Sequence, residues 1–213
     1  MAIITTFTGT RDKFFEEVSK IGAETQKVTI TNAVYTITDL LDIKAAATNA
    51  TIVLQAAANP QLEGDVDGLT AALADIKYSG AITLSEALIN TNLADVLALT
   101  TGKVTADVTS LTAAELVTAL ADEKTVNALT VTVKDDAAAT TAADLKILDA
   151  KTSVTVDASA VTKITGTAAE LKTVLAAKTI TLDTTAVAVT VDGKVSAADL
   201  ETLKEKEFFN KYL

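Results

Sequence analysis

Two acidic stretches hold the side chains of this chain that could do chemistry. The first, Glu63-Gly64-Asp65-Val66-Asp67-Gly68, places carboxylates at alternate positions, and carboxylate oxygens are the ligands that Ca²⁺ prefers. The second is the pair Asp135-Asp136, because paired carboxylates can divide acid and base roles. The first lacks the twelve-residue spacing of an EF-hand and its closing glutamate, and the second is typical of a turn at a strand end. We therefore predict neither a metal site nor a catalytic carboxylate pair.

The composition excludes several other kinds of site. The chain contains no Cys and no His, so it has no thiol nucleophile, no disulfide framework and no imidazole base. A net charge of -10 with a single arginine, Arg11, argues against nucleic-acid binding, which requires basic residues to replace phosphate counterions. With no acid, base and nucleophile set in the sequence, we expect a protein that is not an enzyme and needs no cofactor.

The second half of the chain repeats one five-residue phrase four times. The copies are Thr112-Ala113-Ala114-Glu115-Leu116, Thr141-Ala142-Ala143-Asp144-Leu145, Thr167-Ala168-Ala169-Glu170-Leu171 and Ser196-Ala197-Ala198-Asp199-Leu200. Their leucines are 29, 26 and 29 residues apart. A period of this length predicts a repeat array, in which each repeat buries its apolar face against its neighbours.

Each copy of the phrase predicts the start of a helix. The first hydroxyl can accept a hydrogen bond from the backbone N–H three residues later, and the acid at that position can accept one in return. The predicted helix caps are Thr112 with Glu115, Thr141 with Asp144, Thr167 with Glu170, and Ser196 with Asp199. The helices should be short and should depend on tertiary packing.

Segments of alternating β-branched residues and Thr follow each predicted helix and predict half-buried strands. They are Leu129–Val133, Val154–Asp157, Ile180–Asp183 and Val187–Val191. A looser return segment, such as Val161–Gly166, leads into the next helix. We predict an α/β fold, an elongated solenoid of about six to seven strand-helix repeats of 26–29 residues with helical terminal caps. The expected divisions are an N-terminal cap or anchor (1–35), the solenoid repeats (36–203) and a C-terminal cap or anchor (204–213).

Aromatic residues are concentrated at the two ends of the chain. They are Phe7, Phe14 and Phe15 near the start and Phe208, Phe209 and Tyr212 near the end. A repeat array needs atypical ends that cover its apolar cross-section, which favours a capping role for these six residues. Buried aromatic residues also dominate interface energetics, so docking into a partner is the alternative role.

Two resemblances follow from these repeats. The apolar spacing from Leu145 to Ile164 resembles that of leucine-rich repeats, with Ser159 and Thr185 at the position where that family usually has Asn. The segment Val156–Leu175, VDASAVTKITGTAAELKTVL, resembles Ala/Thr-rich repeats of cyanobacterial surface proteins and of virion structural proteins of cyanophages. The second resemblance implies a structural or attachment role and identifies no catalytic residue.

These observations favour a non-enzymatic structural protein, a phage virion component such as a capsid decoration or tail accessory protein. It would be located in the virion and docked through one aromatic terminus onto other structural proteins, with self-association also expected. The start of the chain, Met1–Thr6, lacks the features of a secretory signal, which ranks a virion protein above a bacterial cell-surface, S-layer or adhesin protein. The Thr-rich strand faces leave a carbohydrate-binding module, recognising a cell-surface glycan, as a further alternative. No uninterrupted apolar run is long enough to predict a membrane span.

Overall fold

The computed structural model describes residues 4–32, 34–55, 60–121 and 127–204. Within these residues the protein is a mixed α/β structure with parallel β-sheets and eight α-helices. The contacts divide the chain into two units, one of residues 1–86 and 95–106 and one of residues 87–94 and 107–213.

The first unit combines strands and helices. Its elements are β1 (Thr6–Gly9), α1 (Arg11–Glu17) with a 3₁₀ turn (Val18–Lys20), β2 (Lys27–Ile30), α2 (Ile37–Ala46), β3 (Thr51–Leu54), β4 (Leu62–Gly64), α3 (Val66–Leu73) and β5 (Ile82–Leu84). Strands β1, β2 and β3 form one parallel sheet in that order, with Phe7 opposite Val28 and Val28 opposite Ile52. Parallel neighbours require a crossover connection, and here α1 with its 3₁₀ turn, and then α2, supply it.

Two elements have residues in both units: α4 (Asn90–Ala98) and β6 (Val104–Leu111). In the first unit, β5 pairs in parallel with β4 on one side and with the start of β6 on the other. The isolated bridge between Leu88 and Val108 lies in the second unit.

The second unit contains the four copies of the repeated phrase. Its remaining elements are α5 (Ala113–Ala119), β7 (Ala128–Val133), β8 (Thr140–Thr141), α6 (Ala142–Asp149), β9 (Val156–Asp157), β10 (Lys163–Gly166), α7 (Ala168–Ala176), β11 (Ile180–Thr181), β12 (Ala188–Val191) and α8 (Ala197–Lys204). Strands β7, β9 and β11 pair in parallel, and so do β8, β10 and β12. Helices α5, α6, α7 and α8 pack as successive neighbours.

The return segments predicted from the sequence are strands in their own right, since Val161–Gly166 contains β10. Conversely, the segment predicted as the strand Val154–Asp157 forms ladder pairs only at β9, Val156–Asp157. The reason lies in the preceding turn, where the N–H of Val154 bonds to the hydroxyl of Thr152 instead of to a neighbouring strand.

Each unit has an aliphatic core in which the inward residues of the strands meet the leucines of the helices. The core side chains with no exposed surface include Val28, Leu40, Ile43 and Ile82 in the first unit and Leu116, Leu129, Leu145, Val156, Ile164 and Leu171 in the second. Burial of side chains this large contributes roughly 1.5–3 kcal/mol each, so these layers supply most of the driving force for folding.

Among the described residues, no helix has both the length and the apolar character needed to cross a membrane.

Candidate interaction surfaces

The residues of the repeated phrase lie at the N-termini of helices. Thr112 precedes α5 and Thr167 precedes α7, and each forms a full capping box with the acid three residues later, Glu115 and Glu170 respectively. Thr141 precedes α6 and accepts from the N–H of Asp144 at 3.0 Å. Before α8, Ser196 accepts from the N–H of Asp199 at 3.1 Å and donates to the Asp199 carboxylate at 2.7 Å. These polar side chains satisfy N–H groups that a helix start leaves without intrahelical partners.

Some capping acids also face a basic residue on the preceding helix. Asp199 receives the ammonium of Lys172 on α7, 27 residues earlier. In the first unit, Asp39 at the start of α2 pairs with the guanidinium of Arg11 on α1 at 2.8 Å. Partial burial opposes ionisation of Asp39, but Arg11 and the two hydrogen bonds from Thr36 hold the pKa of this carboxyl below its ordinary value. These contacts join neighbouring helices by charge as well as by packing.

Lysine side chains bond the carboxyl ends of neighbouring helices. Lys44 on α2 donates to the carbonyls of Ala71 and Ala74 at the end of α3, at 2.6 and 3.0 Å. Lys151, after α6, donates to the carbonyl of Ala121 after α5 at 2.5 Å. A cation at a helix C-terminus offsets the partial negative charge of the unpaired carbonyls.

Three buried threonines join turns that lie 20 to 23 residues apart. Thr25 donates to the carbonyl of Ile4 at 2.6 Å, Thr100 to that of Gly80 at 2.7 Å and Thr152 to that of Leu129 at 2.7 Å. Each hydroxyl also accepts a backbone N–H in or near its own turn. No motif in the sequence marks these three threonines, and the one signal is that Thr152 lies between an apolar helix end and a strand.

Ser159 and Thr185, at the position where leucine-rich repeats usually have Asn, bond only locally in the contacts described for them. The N–H of Ser159 donates to Asp157 at 3.0 Å, and the hydroxyl of Thr185 donates to Asp183 at 2.7 Å. The long-range bonds described here are made by the buried threonines instead.

The acidic stretches have structural partners. Glu63 lies in β4, and Asp65 caps α3, where its carboxylate accepts the N–H of Gly68 at 2.7 Å, so the stretch 63–68 is a strand end and a helix start. Asp136 closes a turn onto the N–H of Ala138 at 2.9 Å. Asp135 does more than end a strand, because it accepts both the N–H and the hydroxyl of Thr162, each at 2.9 Å. Within the described ranges, no group of three His, Cys, Asp or Glu side chains is arranged to hold a metal ion.

The N-terminal aromatic residues pack against one another in the first unit. The Phe7 and Phe14 rings meet edge to face at 5.3 Å between centroids, and both side chains are buried. Phe15 is half-buried, meets Phe14 at 5.5 Å and lies beneath the guanidinium of Arg11. Phe7 and Phe14 are thus core residues of this end. Phe15 is the one of the three whose side chain is partly exposed.

A shallow depression beside Phe15 is lined mainly by carboxylates, those of Asp12, Glu16, Asp39 and Asp42, together with Arg11. Arg11 pairs with two of these four carboxylates, those of Asp12 and Asp39. The C-terminal aromatic residues Phe208, Phe209 and Tyr212 lie outside the described residues.

Threonines of neighbouring strands stand in register. Thr141, Thr165 and Thr190 align across β8, β10 and β12, and Thr83 aligns with Thr105 across β5 and β6. Strands in a sheet lie about 4.8 Å apart, which sets the spacing of the aligned hydroxyls. Thr141 is engaged as a helix cap, and Thr190 is the most exposed of its row.

Comparison with known protein families, curated proteins and solved structures gives no match, so the geometry and the sequence carry the functional argument.

Proposed function

We propose that this chain is a non-enzymatic structural protein, a solenoid of strand-helix repeats that serves as a component of a phage particle. The role that fits is a capsid decoration or tail accessory protein, docked through one end onto other structural proteins. The observation that carries the proposal is the recurrence of one set of contacts. Bonds at separations of 20 to 30 residues link equivalent turns, helix starts and helix ends along the chain.

This recurrence supports a solenoid because the same kinds of polar group bond neighbouring repeats at more than one junction. Thr or Ser begins the helix, a basic residue reaches the next capping acid, and a buried threonine joins the turns. A stack of this kind is elongated and has regular surfaces, and stacking alone forms no cleft. The side chains that could have formed a catalytic set, Asp135 and Asp65 among them, serve instead as backbone acceptors.

The similarity of Val156–Leu175 to Ala/Thr-rich repeats of cyanophage virion proteins directs the proposal to a particle. The same similarity extends to cyanobacterial surface proteins, so a cell-surface or S-layer role is the competing proposal. Immunogold labelling of purified particles and of the host cell envelope, with an antibody against this chain, separates the two. We expect label on the particles at regular positions, and label confined to the envelope would overturn the virion assignment.

The aligned threonines of β8, β10 and β12 favour a glycan-binding module as a second candidate. A glycan array tests it with the variant in which Thr165 and Thr190 are both replaced by Val. A glycan that binds the native chain and not this variant would support that candidate.

A further inference from the structure

The last repeat leaves exposed an apolar position that the preceding repeats bury. Leu116, Leu145 and Leu171 occupy the fifth place of the repeated phrase and have no exposed surface. Leu200 occupies the same place in α8 and is 37% exposed. Ala197, at the second place of the phrase, is exposed as well, whereas Ala113 and Ala142 are buried and Ala168 is half-buried. Among the described residues, nothing covers this side of α8 as a following repeat would.

The strand beside α8 also has a free side. The N–H groups of Ala188 and Asp192 bond to β10, to the carbonyls of Thr162 and Gly166 at 2.8 Å each. Because successive N–H groups of a strand alternate in direction, those of Val189 and Val191 face away from β10. Among the described residues, β12 has no second strand partner on that side, and at the start of the chain β1 likewise pairs only with β2. Every strand pair described is parallel, so we expect both edge strands to pair in parallel as well.

The charges at the two ends are complementary. At two junctions of the second unit, the fifth residue after a helix cap is a base that lies near the third residue after the next cap, whereas α5 has Val117 at this position. Lys172, five residues after Thr167, meets Asp199, three residues after Ser196. In α8 the fifth residue after the cap is the exposed acid Glu201. In α1 the third residue after the cap Thr10 is Lys13, a base that meets Glu17 of the same helix at 3.5 Å and has 57% of its side chain exposed. The signs of both partners are reversed at the ends, so an end-to-end junction again brings opposite charges together.

From these three features we propose that the α8 and β12 end of one copy docks onto the α1 and β1 end of a second copy, head to tail. This inference deepens the proposed function by naming the partner of one terminus, and it rests on the solenoid arrangement proposed there. Leu200 is then covered, β12 gains a parallel neighbour, and Glu201 pairs with Lys13 of the second copy. An interface between two different surfaces of the same chain is heterologous and propagates into chains or closes into rings.

Reversal of the two charges tests the junction by sedimentation velocity over a concentration series. We expect the native chain to associate. Lys13→Glu or Glu201→Lys alone should raise the dissociation constant about fivefold or more, because loss of an exposed ion pair costs up to about fivefold and the reversed charge adds repulsion. Both substitutions in one chain, or an equimolar mixture of the two single variants, should restore native affinity. The charge-matched control Lys163→Glu, on the interior strand β10, should leave association unchanged.

A second variant tests the strand edge. Val189→Pro removes an outward N–H and keeps the donors that bond β10, and proline is tolerated on edge strands. We expect it to prevent association, with unchanged circular dichroism showing that the fold is intact.

Three results would overturn the inference. The first is a native chain that is monomeric at every concentration, and the second is loss of association in both single variants without rescue in the mixture. The third is association that begins only after residues 205–213 are removed, which would mean that the chain covers its own end. A monomeric chain that still labels particles would leave the proposed function intact, and an associating chain found only in the envelope would overturn that function while leaving the junction intact.

Discussion

One hydroxyl joins Thr152 to Leu129, 23 residues earlier, in both directions. It donates to the carbonyl of Leu129 at 2.7 Å and accepts from the N–H of the same residue at 3.1 Å. Thr152 and Leu129 are both buried, so water does not substitute for either bond. The contact between these repeats is therefore a polar one inside an aliphatic core.

Replacing this hydroxyl tests its contribution to stability. Thr152→Val keeps the shape of the side chain and removes the hydroxyl that bonds two buried backbone groups of Leu129 and the N–H of Val154, which costs about 1–3 kcal/mol. Urea denaturation should show a lower midpoint with an unchanged slope. The matched control is Thr155→Val, an exposed threonine in the same turn, for which we expect a change within about 0.5 kcal/mol. Equal effects in the two variants would contradict this role.

A close backbone approach explains Gly102. A Cβ at this position would lie 2.4 Å from the carbonyl oxygen of Gly80 and 2.6 Å from that of Ser79, and both neighbours are backbone atoms. Gly102→Ala should therefore force the two turns apart and destabilise the protein by about 1–3 kcal/mol. Gly22→Ala is the control, since an added Cβ there meets nothing within 4 Å. Thermal denaturation of both variants checks the difference, and a Gly102 variant as stable as the native chain would show that the turns are looser than described.

The tyrosines should titrate abnormally. Burial raises the pKa of Tyr78 to about 12, and burial followed by the proximity of Tyr78 raises the pKa of Tyr35. Both rings are buried in the first unit, and the Tyr78 hydroxyl donates to the carbonyl of Pro60. Absorbance at 295 nm should show these two residues still protonated at pH 11 in the folded chain, in a Tyr212→Phe background. In denaturant both should titrate near pH 10.

The same shift has a consequence for alkaline stability. A phenol whose pKa is higher in the folded chain favours folding below the unfolded pKa, near 10, and this contribution is lost as the pH rises through about 12. We expect the denaturation midpoint to be constant from pH 8 to about 9.5 and to fall above that. Midpoints that stay constant while both tyrosines ionise would contradict their burial.

Because of the capping carboxylates, we expect the stability of the protein to fall in acid. The backbone N–H of Thr112 and then its hydroxyl lower the pKa of Glu115, and the hydroxyl and then the N–H of Thr167 lower that of Glu170. A carboxyl with a lowered folded pKa stabilises above its unfolded value and loses this contribution as the pH falls. Melting temperatures should therefore be steady from pH 7 to about 5 and fall below that. The double variant Glu115→Gln, Glu170→Gln should fall less steeply, and an identical slope would show that the boxes do not contribute.

The repeated phrase was informative because its chemistry is local. Thr112 and Glu115 lie three residues apart, so the sequence alone contains both halves of the helix start. The threonine bonds of Thr25, Thr100 and Thr152 depend on which turns become neighbours, and threonine is too common in this chain for its identity to mark them. The strand character of Val161–Gly166 was missed for a similar reason, because β10 exists only through its pairing with β8 and β12.

The packing at the N-terminal end could be predicted from the sequence, and the exposed leucine near the C-terminal end could not. Phe7 and Phe14 stand out by composition, and their mutual packing follows from the ordinary preference of aromatic rings for edge-to-face contact. The exposed Leu200 could not be recognised from its phrase, which matches that of the buried Leu171 except that Ser and Asp replace Thr and Glu. Whether such a leucine is covered depends on the presence of a following repeat, and that is a property of position in the fold.

The central claim is that equivalent positions of successive repeats lie side by side in parallel register, and paired cysteines test it most directly because the native chain has none. Thr165 and Thr190 are register partners on β10 and β12. Neighbouring strands lie about 4.8 Å apart, within the Cα separation that a disulfide spans. Under mild oxidation, the variant with cysteines at 165 and 190 should form an intramolecular disulfide. The pair at 165 and 189 should not, because a shift of one residue turns the second side chain to the opposite face. A disulfide in the shifted pair, or in neither, would contradict the register on which the account rests.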